Sequence, residues 1–192
     1  LNLDLAGVPV QLFVLLAAVA WVAAAGIADG PLPLRRWLGG LVQHDPWYAL
    51  LVLALLVLAA FLRLSRLDEL PAGVWYDEAK IGLEGWHIAQ DATFRPMYSE
   101  GTTTPAAYVY LVALAEGLIG KSVLALRLPS ALAGIASTAL VFVFARLAFG
   151  PRVALAALTL FAVARWDINF SRIAMQGPTT PLLTLLAAVA AV

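Results

Sequence analysis

The sequence contains no cysteine and only two histidines, His44 and His87. Without cysteine the redox compartment is unreadable, and there is no Cys/His cluster of the kind that holds zinc. Charge is scarce as well. Asp, Glu, Lys and Arg make up 12% of the 192 residues, about half of the ~25% usual in a soluble domain. Twelve basic and twelve acidic side chains cancel, so charge balance gives no reason to expect a nucleic-acid partner. There is no Gly-rich phosphate loop and no GxSxG nucleophile elbow.

What is present is hydrophobic: 62% of the chain. Several apolar runs reach the ~17–25 residues that cross a bilayer. The expectation is an integral membrane protein with an all-α, polytopic transmembrane fold. The run at 7–28 is uncharged and follows no basic n-region, so it reads as a transmembrane helix rather than a signal peptide. Arg35 and Arg36 follow in a linker broken by Pro and Gly. Residues 1–46 are thus an N-terminal helix with a basic linker, and 47–192 a separate module. Spans are expected at about 47–64, 122–148, 151–168 and 179–192. The last stops inside an apolar run, and the chain starts at Leu1, so a piece of a longer protein is expected.

Between the first two spans of the module lies a loop, 65–121. Its first part, 65–104, holds seven of the twelve acids. A loop this long usually carries a function or is disordered, and its aromatic and apolar content argues against disorder. Residues 105–119, "PAAYVYLVALAEGLI", are apolar but short and include Glu116. They fit an interfacial or re-entrant helix better than a span. The positive-inside rule then places Arg35, Arg36, Arg146 and Arg152 in the cytoplasm. The loop and the connector at 165–178 share the outer side.

The stretch "GVWYDEAKIGLEGWHIAQD", 73–91, gathers five charged side chains and His87. Asp77 fits a helix N-cap. On a helix from there, Lys80, Glu84, His87 and Asp91 form one stripe, with Leu83 and Trp86 opposite. That describes an amphipathic helix lying on the membrane. The stripe has a plain reading as a solvated face laced by i,i+4 pairs. The Asp77–Glu78 pair has a plain reading too, as carboxylates complementing the helix dipole. Beside interfacial aromatics, the same pair is placed to serve as a general base at a lipid headgroup. Arg127, Arg165 and Arg172 face the loop, either as ion-pair partners or as the grip on a phosphate.

The segments "LDELPAGVWYDEAKIGLEGWHIAQD", "TPAAYVYLVAL", "ALRLPSALAGIASTALVFVFARLAFGPRVAL" and "FSRIAMQGPTTPLL" together resemble the dolichyl-phosphate-mannose protein mannosyltransferase-like enzymes. These are the glycosyltransferase family 39 group of the GT-C class, which includes aminoarabinose transferases. The likeness covers roughly 47–192. It implies a GT-C-like helical fold with amphipathic interfacial helices in the first large outer loop, and a sugar donor carried on a polyprenyl monophosphate. Asp77 resembles the catalytic acid, Glu78 its neighbour and Arg127 the arginine of the following helix. Two departures stand out. The second acid found after the arginine of the second outer loop is Gly177 here, with Asp167 as a conceivable substitute. The usual His-Pro-Pro-like start of the interfacial segment is Thr104–Pro105–Ala106.

The resulting expectation is a membrane glycosyltransferase acting at the outer face of the plasma (inner) membrane on an unknown acceptor. Asp77 is its base, and Glu78, Lys80, His87, Arg127, Arg165 and Arg172 surround the donor. No cofactor or metal is required by this chemistry, although a divalent metal is compatible with it. Membrane lipids are its surroundings. The alternative is a non-enzymatic polytopic protein, a lipid-binding scaffold or part of a transporter. A transporter more often buries its charge at the midplane of broken helices.

Overall fold

A computed structural model describes residues 46–102 and 104–191. The expected span at 7–28, Arg35, Arg36 and His44 lie outside the described residues. The fold is all-helical. In chain order the helices are α1 (Pro46–Leu64), α2 (Tyr76–Gln90), α3 (Ala107–Ile119), α4 (Val123–Phe149), α5 (Pro151–Ala162), α6 (Arg165–Ser171) and α7 (Thr179–Ala191).

Among the described residues, α1 and α4 are single helices long and apolar enough to cross a membrane. Ser122 caps α4, its Oγ accepting from the Ala125 amide at 3.1 Å. Gly150 ends α4 with φ 89°, a left-handed position that suits glycine. Pro151 then opens α5, where its fixed φ is an advantage. The chain therefore reverses tightly, and α5 returns beside α4. The Tyr48 hydroxyl, near the start of α1, donates to the Pro151 carbonyl at 3.0 Å. Near the end of α1, Arg63 reaches the carbonyls of Phe161 and Ala162. So α1 runs alongside α5 and antiparallel to α4. Val52, Phe142, Ala145, Ala154 and Leu158 fill the space between the three.

The expected span at 151–168 is not one helix. It breaks after Ala162, and α6 leaves at 56° to α5. With twelve residues, α5 is about 18 Å long, short of the ~30 Å hydrocarbon core. Only the bent pair taken together has the length of a span.

Arg63 lies against Gly134 of α4, which marks where α1 ends. Residues 123–133 of α4 project roughly 15 Å beyond that level, and α2 and α3 pack around the projection. Tyr108 and Val112 of α3 meet Leu126 and Ala174, with Ile81 of α2 at the edge. Ile88 of α2 meets Ala106, Val109 and Ala113. With thirteen residues, α3 is only about 20 Å long and runs back along α4. The 65–121 segment and the 163–178 connector therefore sit at one end of the bundle, and Arg146 and Arg152 at the other.

Helix α2 departs from expectation in two ways. Its N-cap is Trp75, not Asp77. Glu78 reaches back to accept from the Trp75 amide at 3.2 Å, which closes the first turn and leaves the Asp77 carboxylate unused. The stripe of Lys80, Glu84, His87 and Asp91 is also not a uniformly solvated face. Glu84 is buried, accepting from Ser99 Oγ at 2.5 Å and the Glu100 amide at 3.0 Å. The inward side of α2 carries Gly82 and Gly85. A Cβ on Gly85 would stand 2.9 Å from Val112 and 3.2 Å from the Ala113 nitrogen, so α3 lies against bare backbone here. Leu83 stays 61% exposed, as an interfacial helix requires. Trp86 is half-buried, with Lys121 Nζ 5.9 Å from its ring.

Candidate active site

The site is built on the projecting end of α4. Arg127 is fully buried there. Its Nε and Nη2 donate to the two carboxylate oxygens of Glu78 at 3.0 and 3.2 Å. Nη1 donates to the carbonyls of Leu67 and Pro71, and Nη2 also to that of Gly73. All five N–H donors of the guanidinium are thereby used. Glu78 accepts additionally from the Ala174 amide at 2.8 Å. Burial alone raises the Glu78 carboxyl, but the Arg127 hydrogen bonds and the Ala174 and Trp75 amides outweigh it and hold the group below its usual range.

One turn further along α4, Ser130 ties in a second set. Tyr108 and Ser130 share a 2.6 Å hydrogen bond, and Ser130 Oγ donates to the Met175 carbonyl at 3.0 Å. Arg127 and Ser130 thus clamp the 67–73 turn, the start of α2, α3 and the 174–175 connector to one helix.

Asp77 sits inside this frame and takes no part in it. It is exposed and makes no side-chain hydrogen bond or ion pair. Two clefts meet at it. The first, about 250 Å³, is lined by Lys80, Ser99, Thr102, Thr104, Tyr108 and Gln176. The second is lined by Pro71, Ala72, Gly73, Val74, Trp75 and Ile173, with Glu78 at its floor. Asp77 and Met175 border both. Lys80 is part-buried in the wall of the first cleft and bonds to no acid.

Residues 103–192 match the dolichyl-phosphate-mannose-protein mannosyltransferase family. The resemblance drawn from the sequence is borne out over that segment, just under half of the chain. No curated protein and no solved structure matches the chain. The match to the mannosyltransferase family supports a membrane glycosyltransferase of the GT-C type. The matched segment supplies Tyr108, Arg127, Ser130 and Met175, the frame of the site. Asp77, Glu78 and Lys80 precede it and are brought to it by the Glu78–Arg127 pair.

The other expected site residues fall into place unevenly. Arg127 was expected to grip a donor phosphate, but it has no N–H left for one. Arg172 is occupied in the same way: Nη1 donates to Leu62 O at 2.7 Å, and Nη2 to the carbonyls of Ser65, Arg66 and Leu70. It caps the end of α1, whose last carbonyls have no partner within the helix. His87 stacks on Phe94 with ring centroids 4.0 Å apart, with Nε2 3.9 Å from Asp91. It lines a separate hollow shared with Lys80, Glu84 and Glu100. Arg165 is exposed at the start of α6 and borders neither cleft. Asp167, the conceivable substitute for the second acid, is paired with Arg63 at 2.6 Å and borders neither cleft. Among the described residues no cluster of three His, Asp or Glu side chains could hold a metal ion.

Arg63, Tyr108, Ser130 and Met175 went unnoticed in the sequence. Arg63 had a signal, as the one charge inside an otherwise uncharged run. Tyr108, Ser130 and Met175 had none.

Proposed function

We propose that the chain is the catalytic module of a GT-C membrane glycosyltransferase that moves a sugar from a polyprenyl-phosphate carrier to an acceptor at the outer face of the membrane. The observation that carries this reading is the state of Asp77: a carboxylate with no bond of its own, in a rigid frame, between two clefts, with Lys80 one turn away. Glu78, Glu84 and Asp167, by contrast, are each held by a partner. Asp77 takes a proton from the acceptor nucleophile as it attacks the anomeric carbon. The bond from that carbon to the phosphate oxygen breaks, and the polyprenyl phosphate leaves with the electron pair. Lys80 offsets the charge that develops on the phosphate. Arg127 and Glu78 act as positioning residues.

The outer face follows from Arg146 and Arg152 at the far end of the bundle under the positive-inside rule. The lipid tail of the donor lies along the apolar exterior of the helices, where Leu83 and Tyr76 are among the exposed side chains.

The test is turnover of a labelled polyprenyl-phosphate sugar, beginning with mannose, by membranes carrying the full chain. Wild type should release polyprenyl phosphate, and Asp77→Asn should do so ~10²–10⁴-fold more slowly, the usual worth of a general base. Donor bound without turnover would favour a lipid-binding scaffold instead.

A further inference from the structure

Charge is divided unevenly between the two ends of the bundle. Every described acid falls at 68–116 or at Asp167, the end that holds Asp77. The far end, where α1 begins and α4 turns into α5, carries Arg146 and Arg152 and no carboxylate among the described residues. Neither arginine forms an ion pair with a described residue. They differ in this from Arg63, Arg127 and Arg172, whose donors are taken up inside the protein.

The two arginines belong to one corner. The Tyr48 hydroxyl of α1 donates to the Pro151 carbonyl at 3.0 Å. Arg146 lies within electrostatic reach of that hydroxyl, and Arg152 directly follows Pro151. Arg146 is half-buried, and its Nε is closed off from solvent with no acceptor. A buried N–H without a partner costs stability. Arg152 is exposed in the first turn of α5, which has no acid, so it stands at the positive end of the helix dipole. An anion at this corner would relieve both. Trp47 and Phe149, next in sequence to Tyr48 and Gly150, are exposed, and aromatic side chains of this kind favour the headgroup level of a bilayer.

From this we infer that the corner of α1, α4 and α5 binds an anionic phospholipid, with Arg146 and Arg152 holding its phosphate and the acyl chains lying along the apolar exterior of the bundle. The guanidinium fork matches the paired oxygens of a phosphate. Basic pockets between spans on the cytoplasmic side hold such headgroups, and the topology proposed above puts the corner there. A free phosphate offers the same oxygens but leaves the apolar surface uncovered. The inference needs this end to meet a bilayer face and does not depend on the role of Asp77.

The test uses the full-length protein in a mild detergent with equal amounts of phosphatidylglycerol and phosphatidylcholine of matched chains. Native mass spectrometry reads which lipid stays bound. Wild type should retain phosphatidylglycerol in preference. Arg146→Gln and Arg152→Gln should each lower that preference about fivefold, the usual worth of one arginine near an anionic lipid surface, and the double variant should lose most of it. Arg66→Gln, which removes an exposed arginine at the opposite end, should leave it unchanged. No preference in wild type, an undiminished preference in the double variant, or an equal loss in Arg66→Gln would overturn the site. Excess inorganic phosphate should displace little of the lipid; full displacement would reassign the corner to a soluble anion. Asp45 precedes α1 and lies outside the described residues. Asp45→Asn should change the preference little, and a rise as large as the loss in Arg152→Gln would make Asp45 the counter-charge of the corner instead. Because Arg152 is exposed, its variant carries the test even where Arg146→Gln folds poorly.

Discussion

Arg127 and Glu78 are joined by two parallel hydrogen bonds, 3.0 and 3.2 Å long, between residues 49 positions apart. Both are almost wholly buried. The pair decides where α2 starts relative to α4, and therefore where Asp77 stands. Removing one partner of a buried pair typically costs 3–5 kcal/mol because the other is left uncompensated. Arg127→Ala should destabilise by about that amount, read as a lower thermal midpoint in detergent. Arg127→Lys should recover only part, since three donors on a point charge replace five in a fork. A wild-type midpoint for Arg127→Ala would show the pair to be dispensable.

Asp77 should behave in the opposite way. It is exposed and unbonded, so Asp77→Asn is expected to move stability by no more than ~0.5 kcal/mol, plus a few tenths for its place near the helix N-terminus. Thermal unfolding measured beside transfer activity separates the two effects. A large stability loss that accounts for the lost activity would return Asp77 to a structural role.

Glu116 carries the pH dependence. It is buried beside Gly82 and Gly85, and one of its oxygens has no hydrogen-bond partner. Burial pushes its carboxyl from 4.5 up to about 7, with Lys121 opposing weakly. A raised carboxyl holds its proton more tightly in the folded state. Stability is therefore retained on the acid side, lost as pH climbs from about 4.5 to 7, and fully lost above that. Glu116→Gln should raise the thermal midpoint at pH 8 and change it little at pH 5. An equal gain at both would contradict the assignment.

Gly134 is the tightest contact between α4 and the connector. A Cβ there would collide with Ser171 Oγ and stand 3.1 Å from Arg63 Nε. Overpacking of this kind costs about 1–3 kcal/mol, so Gly134→Ala should lower stability by that amount. Adding Ser171→Ala should restore some of it, since the hydroxyl is the nearest obstacle. Undiminished stability in Gly134→Ala would mean that the helices separate freely at this level.

The spans α1 and α4 were legible because their apolar runs are long and bounded by charge or by Gly and Pro. Helix α3 was legible as too short to cross. The break after Ala162 was not, because "VALAALTLFAVA" has no charge, Gly or Pro to mark it. The Phe161 and Ala162 carbonyls bond instead to Arg63, 98 and 99 residues away. The same limit applies at the site. A sequence displays an arginine but not the carbonyls that absorb its donors, and backbone carbonyls carry no residue signature. Arg127 and Arg172 therefore looked open to a phosphate when they are spent. Asp77 was singled out by its place beside interfacial aromatics and by the family resemblance; that Glu78 and not Asp77 closes the first turn of α2 was not legible.

The Arg63–Asp167 pair has a consequence for how the molecule is made. The two residues are 104 positions apart. Chains grow at ~5–20 residues per second, so α1 leaves the ribosome roughly 5–20 s before its counter-charge exists. For that interval an arginine waits near the end of an inserted helix, tolerable only because its long stem lets the charge bend back toward water. The first span of the module is then held provisionally, and its final seat is fixed from downstream, when the α5–α6 bend delivers both the carboxylate and the two bare carbonyls. A nascent chain halted before residue 167 has α1 held in the bilayer by its apolar surface and its packing on α4 and α5, but with the Arg63 charge still lacking its carboxylate.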